Sequence, residues 1–495
     1  MITLNIMDEI VGKIDGLTDE HIGRIIKRTG YMEPGAFITA AFKVGMWDGK
    51  TSLFRQDGLF YLNMLDDVID ILDEEFAIQS DDFELNDMRL DMKHDADLMR
   101  STTITKDYFR QYGFPHDLYD HQLTGINAIL HNERGIIEVG TSGGKSGIMA
   151  GCIKLYEPHY RSLTITKDSK LCKQLKAEYA EFGVDATIVD ATTPSKKRGD
   201  KIANAQHIIT TKKLASNMTE HLDGFCGVWL CDEVHEFGEQ FQEFIVNCLG
   251  DCPIRVGLTG TLPEKAKDPL KRARILAHIG GDAFSDDTLI DVNVGELLAK
   301  GHVSDFTVEM VEIEDVLGQM LVVEIGVENW EWAHEKTHLD KCEERFEAII
   351  TAIDERWDGK NALILCKPEA GKYISQALDL DFIDNNTPPK LREEYYKKFQ
   401  ERDDYPLVAT IETTGTGISI NEIYNVFLID VGANPRYIGQ GIGRGLRKDG
   451  VYDKINVVDI YTNTLLSKKQ EKRRIRYYKK KGYPFFKSQL KLRVE

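Results

Sequence analysis

The sequence predicts an α/β fold with two tandem parallel-sheet lobes, a small N-terminal α+β module and a basic C-terminal helical tail. Short apolar strands alternate with helical segments along one part of the chain, and a second alternating series follows. Such alternation is typical of a parallel sheet covered by helices. The length of 495 residues also exceeds one ordinary core and suggests about three domains.

The two series have separate predicted strands. Those of the first series are residues 135–139, 162–166, 186–189, 207–210, 228–232 and 254–259. Those of the second are residues 361–366, 407–411, 425–430 and 455–461, after a weakly patterned stretch at 301–330. We therefore expect two lobes with a cleft between them, which is the usual position of a ligand.

The N-terminal module is predicted from shorter elements. An apolar segment at 37–44 precedes Trp47-Asp48-Gly49-Lys50, and Asp-Gly between strand-like segments is a strong turn signal. Residues 64–76 have a helix-like pattern, and acidic runs concentrate between residues 66 and 97. We expect a small α+β module, in which this acidity is unexplained.

Bulk composition indicates a globular protein. Apolar residues make up 42% of the chain and charged residues 29%. No apolar run has membrane-spanning length and no leader-like segment is evident, so we expect no membrane partner and a cytoplasmic location. Eight scattered cysteines without a C-x-x-C pair favour buried reduced thiols over disulfides or zinc.

A glycine-rich loop at 136–146, IIEVGTSGGKS, follows a predicted strand. Glycines let backbone amides turn toward phosphates, a following lysine adds positive charge, and a hydroxyl can bind Mg²⁺. The pattern departs from the phosphate-loop consensus, because Val139 occupies its first glycine position. The alternative is a plain strand-to-helix turn. The residues predicted to hold a nucleoside triphosphate are Gly140, Thr141, Ser142, Gly143, Gly144, Lys145 and Ser146.

A carboxylate pair, Asp232 and Glu233, ends the apolar run at 228–231. Ligands of α/β sheets lie at the carboxyl ends of the strands, so Asp232 is expected to hold Mg²⁺ and Glu233 to polarise the attacking water. The competing interpretation is that both residues cap the next helix. The glycine-rich loop favours the catalytic interpretation.

The second series carries QGIGRGLR at 440–447. A spacing of three puts Arg444 and Arg447 on one helical face, from which they could neutralise charge on a γ-phosphate. The alternative is two surface arginines at the start of a helix. A phosphate loop alone could belong to a kinase, a transporter ATPase or a GTPase. The presence of this second segment favours a two-lobed motor instead.

Five segments in this order, GTSGGKS, DEVH, LTGT, TTGTGIS and QGIGRGLR, resemble the motifs of superfamily 2 helicases of the DExH type. The resemblance spans residues 115–465 and implies RecA-like lobes, ATP and Mg²⁺. It implies an adenine contact from Gln122 and a nucleotide contact from Gly417. The implied catalytic residues are Lys145, Asp232, Glu233, Gln440, Arg444 and Arg447, with Ser146 and Asp232 as metal ligands. The implied nucleic-acid or coupling residues are Thr259, Thr261, Thr414 and Thr416, and Thr210 and Thr211 are further candidates for contacting the strand.

Within that superfamily the chain resembles the bacteriophage UvsW-type DNA helicases. The shared features are the apolar residue in the phosphate loop, ELLAKGHVSDF at 296–306 and FKVGMWDGK at 42–50. The resemblance implies an ATP-driven enzyme acting on branched or forked DNA, and on RNA–DNA hybrids, in phage replication and recombination. The cytoplasm would then be that of the host. The implied domains are an accessory DNA-binding module at 1–105, an ATP-binding lobe at 106–302, a second lobe at 303–465, and a basic aromatic tail at 466–495.

The formal net charge of the chain is −19, but positive charge is concentrated near its C-terminal end. The segment 468–493 interleaves cations with aromatic residues, which can bind phosphates and stack on bases. Its alternative role is a solvated helix that docks its aromatic side chains on the protein.

Other functions remain open at this level. An RNA helicase shares these motifs, because most contacts go to phosphates. A double-strand translocase, an ATP-gated clamp without unwinding and a P-loop ATPase unrelated to nucleic acid are the remaining alternatives.

Overall fold

The computed structural model describes residues 2–114, 117–236, 238–264, 268–280, 288–414, 423–432, 438–439, 442–443 and 454–491. Contacts between residues group the chain into two compact units. The first comprises Met1–Val139 with Gly144–Asp291, and the second comprises Gly140–Gly143 with Val292–Glu495. The N-terminal module therefore shares a unit with the first parallel sheet, and the four-domain division stays a prediction.

The N-terminal module packs helices on a small mixed sheet. Its elements are β1 (Ile2–Ile6), β2 (Val11–Asp15), α1 (Asp19–Arg28), β3 (Gly30–Met32), α2 (Ala40–Lys43), β4 (Lys50–Ser52), β5 (Leu59–Tyr61), α3 (Leu65–Phe76), β6 (Phe83–Asp87), α4 (Ala96–Ser101) and α5 (Lys106–Gln111), with 3₁₀ turns at Ala36–Ile38, Leu62–Met64 and Ser80–Asp82. The sheet order is β5-β2-β1-β6, and β3 pairs with β4 separately. Phe60, Met64 and Val68 are fully buried in its core.

The predicted turn at Asp48-Gly49 is present, but its surroundings differ from the expected strands. Gly49 has a φ of 79°, and Asp48 accepts a hydrogen bond from the Lys50 amide. The apolar segment before it forms a 3₁₀ turn and the short helix α2, with Phe37 and Ile38 exposed. Helical periodicity and strand alternation cannot be separated in so short a run.

The first lobe is a seven-stranded sheet with helices. Its elements are α6 (Asp120–Asn132), β7 (Arg134–Val139), α7 (Lys145–Tyr156), β8 (Ser162–Thr166), α8 (Ser169–Glu181), β9 (Ala186–Ile188), α9 (Ser195–Asn204), β10 (His207–Thr211), α10 (Lys212–Ala215), α11 (Thr219–Leu222), β11 (Val228–Asp232), α12 (Glu239–Cys248), β12 (Ile254–Thr259), α13 (Pro269–Ile279), β13 (Ile290–Val292) and α14 (Val294–Ala299), with a 3₁₀ turn at Val234–Glu236. The strand order is β13-β7-β12-β11-β8-β10-β9. Strand β11 lies between β12 and β8, and both of these strands are parallel to it.

The second lobe is also a seven-stranded sheet. Its elements are β14 (Asp305–Glu314), α15 (Val316–Ile325), α16 (Trp332–Lys341), α17 (Glu343–Asp354), β15 (Ala362–Cys366), α18 (Pro368–Ala377), β16 (Phe382–Ile383), α19 (Pro389–Glu401), β17 (Pro406–Thr410), α20 (Ile411–Thr414), β18 (Asn425–Ile429), β19 (Lys454–Thr462), α21 (Leu465–Lys481) and β20 (Phe485–Lys491). The strand order is β16-β17-β15-β18-β19-β14-β20. All ten strands predicted for the two lobes are present, which confirms the α/β fold class.

Two segments differ from the sequence-based expectation. The stretch at 301–330 contains the long strand β14, whose Phe306, Val308 and Met310 are fully buried while acidic side chains alternate with them. The C-terminal segment is an integral layer of the second lobe, because β20 pairs in parallel with β14 after α21. Expected as a separate tail, it is ordered by the hydrogen bonds of the sheet.

Buried polar contacts join the N-terminal module to the first sheet. Glu9 accepts from Arg134 at 2.6 Å through its carboxylate, and from the buried Arg255 at 2.6 Å through its carbonyl. Tyr61 contacts His278 of α13, with 3.2 Å between the hydroxyl and Nε2. These bonds fix the module against the amino-terminal ends of β7 and β12.

Among the described residues, no helix is long and apolar enough to cross a membrane. All eight cysteines are buried and none forms a disulfide, as the sequence predicts.

Candidate nucleotide and nucleic-acid site

The glycine-rich loop joins β7 to α7 through left-handed backbone. Ser142 has a φ of 65° and Gly144 one of 72°, and α7 begins at Lys145. Left-handed backbone costs a residue with a side chain about 1 kcal/mol or more, so glycine suits position 144. The helix that follows directs its amino terminus, and hence its positive end, toward the loop. This is the geometry that a phosphate group requires.

Gln122 holds this loop in place. Its Oε1 accepts from the Tyr119 amide at 2.8 Å, and its Nε2 donates to the Gly144 carbonyl at 2.8 Å. The residue is 6% exposed, and a Cβ placed on Gly144 would lie 2.3 Å from Nε2. Both ends of the amide are therefore bonded to backbone. The adenine contact predicted for Gln122 stays a prediction, and the structure adds a loop-supporting role beside it.

Asp232 and Glu233 lie at the carboxyl edge of the first sheet, as predicted. Asp232 is the last residue of β11 and pairs with Leu258 of β12. Glu233 follows with a φ of 52°, which turns the chain sharply away from the strand. The glycine-rich loop leaves β7 at the same edge, because β7 and β12 are parallel neighbours. Strand direction thus brings motifs about 90 residues apart in the chain to one edge.

The two carboxylates have opposite electrostatic surroundings. Burial and the neighbouring Glu233 charge raise the pKa of Asp232, although Lys145 opposes them. Burial also raises the pKa of Glu233, but the hydrogen bond from His235 and the charge of Lys145 outweigh it and lower that pKa. A carboxylate held ionised in this way is suited to polarise and orient a water molecule.

The donor set also fits a divalent cation. Asp232 Oδ1 is buried and has no hydrogen-bond partner among the described residues. A buried carboxylate oxygen without a partner is costly, and a hard cation with oxygen ligands would satisfy it. Ser146, predicted for the same role, lies in the first turn of α7. These residues fit Mg²⁺ bound with a nucleotide.

A hydrogen-bonded chain extends from Glu233 to the LTGT segment. His235 Nδ1 lies 3.2 Å from Glu233 Oε2 and 2.7 Å from Thr259 Oγ1. Thr259 Oγ1 in turn accepts from the Thr261 amide at 3.1 Å. The chain connects Glu233, predicted to polarise the attacking water, with both predicted coupling threonines. His235 was not singled out from the sequence, although its place in DEVH was the available signal.

Two lysines not assigned to the ATP site also hold the segment after β11. Lys212, at the start of α10, donates from Nζ to the Glu233 carbonyl at 3.1 Å. Lys167, after β8, lies 3.4 Å from Glu236. Burial lowers the pKa of Lys212. Each lysine follows a strand end at the edge that carries the carboxylates, so this segment is held by two neighbouring strand–helix connections.

The threonines predicted to contact nucleic acid occupy the end of β10. Thr210 is fully buried, and its hydroxyl has no hydrogen-bond partner among the described residues. Thr211 caps α10 by accepting from the Leu214 amide at 3.4 Å. The exposed fraction of Thr211 is larger than that of Thr210, but both side chains are more than nine-tenths buried. Their role in strand contact stays a prediction.

In the second unit, Thr414 ends α20 after the buried strand β17. Ser142 belongs to the same unit by its contacts, and its Oγ donates a hydrogen bond to the Gly443 carbonyl at 2.8 Å. The remaining predicted residues of this unit lie outside the described residues, namely Thr416, Gly417, Gln440, Arg444 and Arg447.

Comparisons with known proteins agree with this arrangement. Residues 115–264 match the family model described as type III restriction enzyme, res subunit. The curated protein "ATP-dependent DNA helicase uvsW" of Enterobacteria phage T4 is 21% identical over 454 residues, covering 87% of this chain and 86% of the relative.

Two solved structures complete the comparison. The crystal structure of T4 UvsW is 15% identical with a TM-score of 0.44, covering 99% of this chain and all of the other. A fragment of a putative HsdR subunit of a type I restriction enzyme from Vibrio vulnificus YJ016 is 14% identical with a TM-score of 0.56, covering 80% and 72%. The second likeness supports the two-lobed fold.

The motif order, the two parallel sheets and the match over residues 115–264 agree with a two-lobed nucleic-acid motor. The relative extends the similarity to most of the chain. These similarities support a superfamily 2 helicase most like UvsW, with nucleic-acid-dependent ATPase activity.

Proposed function

We propose that this protein is an ATP-dependent DNA helicase or translocase that acts on branched DNA, migrating junctions and remodelling forks in phage replication and recombination. The observation that carries the proposal is the edge of the first sheet, where Lys145, Asp232 and Glu233 lie with the glycine-rich loop. The name of the curated relative supports DNA as the polymer.

In this proposal each residue at that edge has a separate task. Lys145 supplies positive charge to the outer phosphates, and the backbone amides before it donate to phosphate oxygens. Ser146 and Asp232 would hold Mg²⁺, which neutralises charge on the phosphate oxygens when it is bound. Glu233, kept ionised by His235 and Lys145, polarises and orients the attacking water.

The second unit would complete the site from its own loops. Gln440, Arg444 and Arg447 are proposed to sense the γ-phosphate, and Gly417 to contact the nucleotide. Loss of the γ-phosphate then changes which contacts the two lobes share, and this change becomes movement along DNA. The lobes would close on ATP and open after hydrolysis.

Nucleic acid would be held mainly through its backbone, with little sequence preference. Thr210 and Thr211 are proposed contacts in the first lobe, and Thr414 and Thr416 in the second. Thr259 and Thr261 would pass the state of Glu233 to these contacts, because His235 bonds both Glu233 and Thr259. Coupling in this form needs no contact between DNA and the carboxylates themselves.

The ATP site is tested with Lys145→Ala and Glu233→Gln. Each should abolish DNA-stimulated ATP hydrolysis and leave DNA affinity nearly unchanged, because neither residue is proposed to contact DNA. Phosphate release and fluorescence anisotropy measure the two properties. Persistent hydrolysis by purified Lys145→Ala protein would discard the assignment of the site.

The substrate is tested with a panel of single-stranded DNA, single-stranded RNA, an RNA–DNA hybrid, a fork and a four-way junction. Branched DNA should give the greatest stimulation and should be unwound or migrated. Greater stimulation by RNA or by the hybrid would favour the alternative of an RNA or hybrid helicase. Hydrolysis without any displacement would favour an ATP-gated clamp.

A further inference from the structure

The helix α21 presents a continuous row of cations to solvent. These residues are exposed and are called here the basic stripe: Lys469, Lys472, Arg473, Arg476, Lys479 and Lys480. At 3.6 residues per turn they fall within an arc of about 120° of the helix surface. The only acidic residue of α21, Glu471, lies on the opposite face and pairs with Lys487. The stripe is therefore uniformly positive in a chain of net charge −19.

The opposite face of α21 is anchored in the second lobe. Arg474 is 1% exposed and donates from Nε to Asp459 of β19 at 2.9 Å. The Tyr478 hydroxyl donates to the same carboxylate oxygen at 2.8 Å. At the amino end of the helix, Glu335 accepts from the amides of Leu466 and Ser467 at 2.8 and 2.6 Å. These bonds fix the rotation of α21, so the stripe has one defined orientation on the second lobe.

None of the six stripe cations forms an ion pair with any described residue of the chain. Lys468, just before the stripe, lies 3.9 Å from Glu312, and Arg474 and Lys487 pair with acids on the anchored side. Surface lysines elsewhere in the same lobe differ, since Lys336 has Asp340 at 3.0 Å. Six unneutralised cations on one helical face repel one another. An anionic partner that bound there would offset this repulsion.

The aromatic residues of this segment do not belong to the stripe. Tyr478 and Tyr483 are buried and stack on each other with ring centroids 5.9 Å apart. Tyr477 meets both of them edge-on. Stacking on the bases of a single strand needs exposed aromatic faces, and α21 turns these rings into the protein. The base-stacking interpretation is therefore wrong for Tyr478 and Tyr483, and the phosphate-binding interpretation stays a prediction.

We propose that the basic stripe binds the phosphate backbone of a double-stranded DNA arm. This inference rests on the proposed function and adds to it a second contact, which lies on α21 rather than on the motor motifs. Six cations lie along about 16 Å of rigid helix, at 1.5 Å per residue. Duplex DNA has about one negative charge per 1.7 Å of axis, twice the density of each of its strands, and is the better electrostatic match.

The test compares two fourfold neutralisations of the full-length protein. The stripe variant is K472Q/R473Q/R476Q/K479Q. The control variant is K336Q/K372Q/K390Q/K397Q, which removes the same charge from exposed lysines of the same lobe. Affinity for a blunt duplex and for a single strand of equal length is measured between 50 and 300 mM salt, a range that brackets about 150 mM physiological ionic strength. Circular dichroism melting checks that both variants fold.

The stripe variant should bind the duplex about 10- to 100-fold more weakly at low salt, with the slope of log affinity against log salt reduced by about 2 to 4. The control should stay within about threefold of wild type, since its lysines have acidic neighbours or stand alone. The DNA concentration for half-maximal ATPase should rise for the stripe variant, while kcat at saturating DNA is retained.

Three results would overturn the inference. An unchanged duplex salt slope would return α21 to a solvated or protein-binding face. A loss confined to the single strand would reassign the stripe to single-stranded DNA. An equal loss in the control would make the effect one of net charge. If wild-type protein itself showed no DNA-stimulated hydrolysis, the proposed function would fail instead, which keeps the two failures distinguishable.

Discussion

Replacing Gln122 by alanine separates two roles for this residue, support of the glycine-rich loop and recognition of adenine. In the structure its amide bridges the Tyr119 amide and the Gly144 carbonyl, both at 2.8 Å. The substitution removes both bonds next to the loop. If loop support is the main role, every nucleoside triphosphate should bind more weakly, because the loop holds phosphates and not the base.

The magnitude follows from those two bonds. A neutral hydrogen bond contributes about 0.5–1.5 kcal/mol net, and a buried group left without a partner costs about 1–3 kcal/mol. Because water can reach part of the vacated space, we expect about 1–2 kcal/mol of lost binding, or roughly a 5- to 30-fold higher Kd. Gln122→Glu is the matched variant, since its carboxylate still accepts from the Tyr119 amide but cannot donate to the Gly144 carbonyl. It should weaken binding to a similar extent.

The assay is equilibrium binding of fluorescent analogues of ATP and GTP to wild type and both variants. Parallel losses for the two nucleotides would agree with loop support. A loss for ATP alone, with GTP affinity unchanged, would refute this reasoning and return Gln122 to adenine recognition. Thermal melting must show that α6, which carries Gln122, remains folded.

Three further predictions follow from single contacts. Lys212→Met should lower the DNA-stimulated kcat by about tenfold at nearly constant DNA affinity, because the Glu233 carbonyl loses its bond; equal kcat values would contradict this. Gly144→Ala should impair ATPase activity strongly, since its φ is 72° and the new Cβ would lie 2.3 Å from an amide nitrogen. Gly45→Ala, with the same φ and open space, is its control and should retain activity. His278 is 1% exposed, and burial lowers its pKa from 6.5 to about 4. The contribution of the neutral His278 side chain to the free energy of unfolding is therefore complete above pH 6.5 and is lost as the pH falls toward 4. Lowering the pH from 7 to 5 should thus cost wild type about 2 kcal/mol more than His278→Gln in urea unfolding, and an equal cost would show that His278 is not responsible.

Local pattern was sufficient to predict the strands that carry the site. The run at 228–231 is apolar and ends in Asp232, so both the strand and the position of the carboxylate could be read from neighbouring residues. β14 was missed although its first apolar side chains alternate with polar ones, which is itself a strand signal; in the structure β19 and β20 pair on either side of it. The short segment at 37–44 was also ambiguous, since too few residues are present to distinguish periods of 2 and 3.6.

The sequence by itself determined the fold class, the glycine-rich loop, the carboxylate pair and the resemblance to superfamily 2 helicases, because each depends on residues close together in the chain. Only the tertiary structure decided which groups share a contact across long separations. It showed that Gln122 supports Gly144, that His235 joins Glu233 to Thr259, and that α21 buries Tyr478 while exposing the cations of the basic stripe. Side-chain partners of this kind depend on the register of the sheet and the rotation of each helix, which packing sets across the whole unit.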